Sequence, residues 1–329
     1  MLTKAERQGD RMCRLSNRFR MRYSLPAGLY ALHNPTNDSP VFVTANYRLS
    51  FNRVRESLAG LDAWILVLDT KGINVWCAAG KGTFGTTELV RQVTATDLAD
   101  VVKHRTLIMP QLGAPGVAAH EVRKATGFNI LYGPVRSRDL PAYLSAGNTA
   151  TTAMRIVTFP LRDRAVLTPM ELLPALKKFP WVILAVLILM GLQPTGIYFP
   201  AAFTHGWPII MAGVAAVFAG TILTPVLLPW IPFRSFAAKG AIVGTLVLAP
   251  LLRFIDRFFC NSALLASATI VFFVALSSYL ALNFTGCTTF TSMSGVKKEM
   301  RIAVPLYITA CGIAAVLLVI FKLQEWRIL

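Results

Sequence analysis

The chain has 329 residues, 54% of them hydrophobic and 15% charged, with a formal net charge of +17. A soluble domain carries nearer a quarter charged residues, so an ordinary water-facing surface over the whole length is excluded. The basic excess is dispersed and comes with no helix-turn-helix, zinc-finger or RNA-recognition pattern. Nucleic acid is therefore not the expected partner, and a basic face beside anionic lipid accounts for the charge better.

The charge deficit lies in one half: residues 1–179 hold 24 Lys+Arg and 13 Asp+Glu, residues 180–329 only 9 and 3. In chain order, residues 1–30 read as a basic arm (Lys4, Arg7, Arg11, Arg14, Arg18, Arg20, Arg22), solvated and facing lipid. No apolar run follows it, so it is not a secretory signal.

Residues 31–165 alternate apolar runs with helical patterns. Strands are predicted at Val41–Ala45, Ala63–Leu68, Thr106–Met109 and Phe128–Tyr132. Helices are predicted over Leu49–Leu58, Thr87–Val102 and Ala118–Ala125, the last closed by Gly127. Strands alternating with helices predict a Rossmann-like α/β domain with a mainly parallel sheet. Ligands on such sheets bind beyond the carboxyl ends of the strands. Those ends carry Thr44-Ala-Asn46, the Asn74–Lys81 segment and Pro110–Gly116.

Residues 166–179 read as a linker, and 180–329 as an all-α transmembrane domain. Apolar runs at about 180–199, 207–230, 240–258, 261–283 and 302–321 each approach the roughly 20 residues that cross a bilayer. The third is interrupted by Arg253, Asp256 and Arg257. Trp181, Trp207 and Trp230 sit at run ends, as in aromatic belts. Lys177, Lys178, Arg234, Lys239, Lys297, Lys298 and Arg301 bias one side, which places the first half in the cytoplasm of a multi-pass inner-membrane protein. No mid-span acidic pair or inverted repeat favours a transporter. Gly191, Pro225, Gly244, Pro250 and Pro305 read as packing and kink positions.

Cys13, Cys77, Cys260, Cys287 and Cys311 include no CxxC pair, so an iron–sulfur cluster within this chain is not expected. Gly80-Lys-Gly-Thr-Phe-Gly85 matches G-x-G-x-x-G, but the preceding strand ends near Asp69 and no acid closes the next strand. A dinucleotide site is disfavoured on that spacing. Asn74-Val-Trp-Cys-Ala-Ala-Gly-Lys81 is more informative. On a helix, Asn74, Cys77, Ala78 and Lys81 share a face by i, i+3, i+4 spacing. Ala78, Ala79 and Gly80 leave little bulk beside the thiol, so a large flat ligand could lie close. A structural cysteine in a short helix is the competing reading.

That octapeptide resembles the motif of the mercury-methylating corrinoid proteins, the HgcA family. Thr44-Ala-Asn-Tyr-Arg-Leu-Ser50, Gly113–Glu121 and Tyr132-Gly-Pro-Val-Arg136 are similar to segments of the corrinoid iron–sulfur proteins. The resemblance covers roughly residues 40–145 and implies a corrinoid-binding domain joined to about five membrane helices. It implies cobalamin as cofactor and Cys77 as the axial ligand to cobalt, hence the catalytic and metal-binding residue. The whole segment, Val75 and Trp76 included, would line the cofactor; Asn74 would orient the helix, and Trp76 would pack it on the sheet. Ala78, Ala79 and Gly80 would clear the corrin ring, and Lys81 would stabilise the thiolate or anchor a ring amide. Thr44, Asn46 and Ser50 would meet the cofactor's polar periphery. His33, His104, His120 and His205 lack the D-x-H-x-x-G context of a cobalt-binding imidazole and read as structural.

The implied activity is corrinoid-dependent methyl transfer to Hg(II), because a thiolate donor suits departure of a methyl with its electron pair. Implied partners are a ferredoxin-like protein with 4Fe–4S clusters, a methyltetrahydrofolate methyltransferase as methyl source, and the bilayer. The alternatives are a methyl carrier of acetyl-CoA-type one-carbon metabolism, or a non-enzymatic membrane protein with a nucleotide-binding domain.

Overall fold

Five apolar segments of four to six residues pair into one sheet of order β1-β3-β2-β4-β5: Gly28–Leu32, Val41–Ala45, Ala63–Leu68, Thr106–Met109 and Asn129–Tyr132 in chain order. This computed structural model describes residues 2–255, 262–288 and 290–329, so Asp256, Arg257 and Cys260 lie outside the described residues. So does the side chain of Cys287. Two compact units divide the chain, Met1–Thr158 and Phe159–Leu329.

In the first unit β2 pairs in parallel with β3 and β4, and β4 with β5. Every residue of β2 is buried. Its period-2 alternation sends Val41 and Val43 to one core and Phe42 to the other. Helices Thr86–Ala95 and Ala119–Thr126 cover the first face through Leu89, Val93 and Val122. Helices Arg48–Ser57 and Leu140–Ser145 cover the second through Phe51, Leu140 and Tyr143. The chain moves from β2 outward to β3, then crosses back to β4 on β2's other side. The strand order therefore reverses between β2 and β4, where doubly wound sheets open a crevice at the strand carboxyl ends.

Three expectations change here. The expected helix over Thr87–Val102 is two, Thr86–Ala95 and Leu98–Val101, because Asp97 takes a left-handed φ of 45° between them. β1 was not anticipated; it pairs antiparallel with β3 at the sheet edge and is only partly buried.

The N-terminal segment is a docked helix rather than a free arm. Lys4–Leu15 opens with a capping box between Thr3 and Glu6. Glu6, Asp10 and Cys13 fall on one face at i, i+4, i+7, while Arg7, Arg11 and Arg14 lie off it. Glu6 accepts from Arg55 at 2.9 Å and from Arg48 at 3.3 Å. Asn52 donates to Asp10 Oδ1 at 2.8 Å, and the Tyr47 hydroxyl donates to the buried Cys13 Sγ at 3.4 Å. Burial pushes the Cys13 thiol and the Asp10 carboxyl up.

Burial also tends to raise Glu6, but the Thr3 N–H and the Arg55 guanidinium outweigh it and bring its pKa from 4.5 down to about 2. A depressed carboxylate stabilises the fold above its ordinary pKa, and that contribution is lost as pH falls towards the folded value. The protection factors of the Lys4–Leu15 amides, taken relative to intrinsic exchange at each pH, should therefore fall between about pH 4.5 and 2. Glu6→Gln should remove this step; an unchanged profile in that variant would contradict the assignment. Asp10 works in the opposite sense, since its raised pKa favours the folded state as it takes up a proton.

Among the described residues the second unit has five helices long and apolar enough to cross a membrane: Leu161–Gly191, Phe199–Leu227, Phe236–Arg253, Ala263–Gly286 and Ser294–Glu325. A two-stranded hairpin, Leu192–Gln193 with Gly196–Ile197, joins the first two. The expected linker 166–179 is instead helix, as are Lys177 and Lys178, despite Pro169, Pro174 and Pro180 within it. Its start is held by tertiary contacts: Arg164 is buried, donates to the Val226 carbonyl and stacks 5.1 Å above the Trp230 ring. Gly240 and Gly244 let the third helix approach the fourth closely. A Cβ on Gly240 would lie 2.8 Å from Ser278 Cα, and one on Gly244 would lie 2.8 Å from Ser277 Cβ. The Ser277 hydroxyl donates to the Gly240 carbonyl at 2.9 Å, a small-residue contact typical of membrane helix pairs. A Cβ on Gly191 would meet that of Ala202 at 2.9 Å, so this position also serves packing.

Candidate functional site

At the carboxyl end of β2, Asn46 ties down the loop that leaves β3. Its backbone N–H donates to the Leu68 carbonyl at 2.9 Å. Its Oδ1 accepts from the Thr70 and Gly72 N–H groups at 3.1 and 2.9 Å and lies 2.9 Å from the Thr70 hydroxyl. Its Nδ2 donates to Asp69 Oδ1 at 3.0 Å. Glu88 accepts the Asp69 N–H at 2.8 Å on the other side. Burial tends to raise Glu88, but Arg91, the Asp69 N–H and Gln92 together hold it below the ordinary carboxylate range. Lys71 and Gly72 turn the loop with φ of 57° and 71°.

The loop delivers Asn74 as the N-cap of a short helix, Val75–Lys81, whose Oδ1 accepts the Cys77 N–H at 2.9 Å. Gly82, at φ 80°, closes the helix in the left-handed conformation. Thr83 and Phe84 then donate back to the Ala78 carbonyl at 3.0 and 3.1 Å. Phe84 is fully buried, and the helix packs on the Gln111–Gly116 turn that follows β4. A Cβ on Gly116 would lie 3.1 Å from Ala79 Cα and would collide with the Phe84 carbonyl oxygen; this close approach requires glycine.

Packing sets the helix phase. Val75, Ala78 and Ala79 form the buried face and belong to the sheet core. Cys77, Gly80 and Lys81 lie on the outer side, Cys77 half-buried and the other two exposed. The small size of Ala78 and Ala79 therefore serves the contact below the helix. Gly80, one turn on from Cys77, is exposed, and a Cβ there would meet nothing within 4 Å, so the surface on that side of the helix is open. Val75, rather than Trp76, packs the helix on the sheet; Trp76 is half-buried and outside the core cluster.

The other candidates separate. Thr44 is 1% exposed within β2, and Asn46 is buried in its hydrogen-bond knot. Ser50 lies half-buried on helix Arg48–Ser57. His104 Nε2 lies 2.9 Å from the Ser39 carbonyl, and His33 Nε2 accepts the Gly60 N–H at 3.2 Å. Gly80–Gly85 spans the end of one helix and the link to the next rather than a turn off a strand.

Asp69, Thr70, Glu88, Phe84 and Gly116 shape the site without having been singled out. The only local signal was the turn-forming Asp69-Thr-Lys-Gly72 at a strand end. Among the described residues no group of three or more His, Cys, Asp or Glu is placed to hold a metal ion. Cys77 itself is half-accessible, on the same outer side of the helix as the exposed Gly80 and Lys81.

Residues 20–144, which contain this site, match the family of the CO dehydrogenase/acetyl-CoA synthase delta subunit. The family match stops short of the second unit, Phe159–Leu329. Among curated proteins, the acetyl-CoA decarbonylase/synthase complex subunit gamma of Methanopyrus kandleri is 38% identical over 120 residues, 36% of this chain and 25% of that protein. The Archaeoglobus fulgidus subunit gamma is 33% identical over 119 residues, again 36% and 25%. That of Methanosarcina acetivorans is 32% identical over 126 residues, 37% and 26%. The chain thus spans about a quarter of the length of the curated relatives it matches.

Proposed function

We propose that this chain is a membrane-anchored corrinoid protein that carries and transfers a methyl group, with Cys77 as the protein's ligand to the corrinoid cobalt. The observation that supports this best is the half-buried thiol on the outer side of a short helix whose next turn, at Gly80, is exposed and open. A single donor with clearance on its flank suits a metal that brings a macrocycle of its own ligands. The similarity of residues 20–144 to subunits of acetyl-CoA decarbonylase/synthase supports a one-carbon role.

When bound, the corrinoid would supply a cobalt centre able to take up and release a methyl group. The protein's part is to present the ligand. Asn74 fixes the first turn so that the sulfur direction is set by the backbone. Val75, Ala78 and Ala79 hold the helix rigidly on the core, and Gly80 keeps the approach free. The Cys77 thiolate is a soft, strongly donating ligand. Lys81, exposed one turn beyond, would offer a cation to a polar group of the cofactor. Thr44 and Asn46 act on the scaffold beneath; Ser50 is the polar candidate left for the periphery.

For the acceptor, the thiolate donor and the Asn74–Lys81 octapeptide favour Hg(II), a soft electrophile, as substrate. A second reading is a methyl carrier serving an acetyl-CoA-type complex, favoured by the relatives named above. In either case a ferredoxin-like 4Fe–4S protein would supply electrons, and methyltetrahydrofolate, through its methyltransferase, the methyl group. The five long helices would anchor the protein in the inner membrane. Arg234, Lys239, Lys297, Lys298 and Arg301 would lie on the cytoplasmic side with the first unit. The deciding experiment loads the purified protein with isotopically labelled methyl and offers Hg(II) or a thiol acceptor. Label in methylmercury is expected; label that moves to the thiol and never to mercury would select the carrier reading.

A further inference from the structure

We infer that the groove between the third, fourth and fifth long helices binds an anionic phospholipid of the cytoplasmic leaflet. Its phosphate sits at Arg234 and Lys298, with one acyl chain running below. The inference rests on the reading that these helices cross a bilayer.

The groove holds about 1200 Å³, and its charged residues, Arg234, Lys298 and Glu299, all lie at one end. Arg234 and Lys298 line that end, are exposed, and have no hydrogen-bond or ion-pair partner among the described residues. The one acid there, Glu299, is already engaged. Its Oε1 accepts from the Ser235 hydroxyl at 2.7 Å and from the Ala237 N–H at 2.6 Å, at the start of the third helix. A carboxylate at a helix N-terminus is offset by the helix dipole, which leaves the two cations as the uncompensated charges.

Below this end the walls are apolar, through Val274, Ile302, Leu306 and Ala310. The polar groups on the way down are paired: the Ser278 hydroxyl donates to the Ala237 carbonyl at 2.7 Å and lies 3.0 Å from the Tyr307 hydroxyl. From Lys298 to Ala310 the fifth helix rises about 18 Å at 1.5 Å per residue. One leaflet of a bilayer core about 30 Å thick is close to that depth. A basic rim above an apolar channel one leaflet deep is complementary to a phosphate headgroup with one acyl chain. Basic pockets between helices on the cytoplasmic side recognise anionic lipids in this way.

The test uses the full chain in mild detergent, offered phosphatidylglycerol or phosphatidylcholine in mixed micelles, with bound lipid read by native mass spectrometry. Wild type should retain phosphatidylglycerol preferentially. Arg234→Gln with Lys298→Gln should weaken that retention by about fivefold per cation removed. Ala275→Phe, which narrows the channel, should reduce it with both cations in place. Equal retention of the two lipids, or an unaltered preference in the double variant, would overturn the site. Membrane fractionation separates the underlying reading: protein released by carbonate washing contradicts bilayer crossing itself, and the inference with it. Protein that stays in the membrane without lipid preference overturns only the groove.

Discussion

Cys77→Ala should abolish methyl transfer while changing the unfolding free energy by no more than about 0.5 kcal/mol. The thiol is half-buried and has no hydrogen-bond partner among the described residues, so its removal leaves no orphaned polar atom. Alanine is the best helix former, and the Asn74 cap acts on the backbone of residue 77 whatever its side chain. Function and stability therefore separate at this position. Cys77→His keeps a cobalt-binding atom but replaces a thiolate by a neutral, weaker donor. Transfer to Hg(II) should fall severely while cofactor is retained. Rates of labelled methyl transfer, beside thermal unfolding curves of the three proteins, check both statements. Full activity in the alanine variant would remove Cys77 from the mechanism.

Asn46→Ala should behave in the opposite way, losing stability and site together. Three donors converge on its Oδ1, from Thr70 N–H, Gly72 N–H and the Thr70 hydroxyl, in a buried setting. Buried groups left without a partner cost about 1–3 kcal/mol each, so a loss on the order of 3 kcal/mol follows even if one donor finds the Ile73 carbonyl. The Thr70 hydroxyl already lies 2.6 Å from that oxygen. The loop 69–73 positions Asn74, so hydrogen exchange across residues 70–78 should quicken and cofactor retention should fall. Asn46→Asp keeps the acceptor but sets a carboxylate against Asp69. Its defect should deepen as pH rises through the carboxylate range. Normal exchange in 70–78 for the alanine variant would show that the knot does not hold the site.

Much of the first unit was legible because β2 to β5 are short apolar runs bounded by turn residues. Their parallel order follows once helices alternate with them. β1 gave a weak signal, being a half-exposed edge strand with one buried residue. The N-terminal helix was hidden among its arginines. Glu6, Gly9, Asp10 and Cys13 mark its docking face; Tyr23 meets it from nearby in the chain, but helix Arg48–Ser57 and Tyr47 lie more than thirty residues away. The segment 166–179, expected as a linker, is helical despite Pro169 and Pro174, because the burial of Arg164, Thr168 and Met170 holds it in place.

At the site, Cys77 and its small neighbours stood out from the octapeptide. The face they present did not, because the helix phase is set by Gly116 and Phe84, which follow in a different turn and a different link. Asn46 was marked as a cofactor contact on its position at a strand end. Its hydrogen bonds to a loop some two dozen residues ahead have no sequence pattern, and they make it part of the support for the loop that leads to the Val75–Lys81 helix.

The central claim is that a corrinoid is held through Cys77. The most direct measurement is the cobalt content and absorption spectrum of the purified full chain beside Cys77→Ala, from cells making cobalamin. Stoichiometric cobalt with a corrinoid spectrum that changes in the alanine variant is the predicted result. A cobalt-free wild-type protein, or a corrinoid spectrum indifferent to the loss of the thiol, would contradict it.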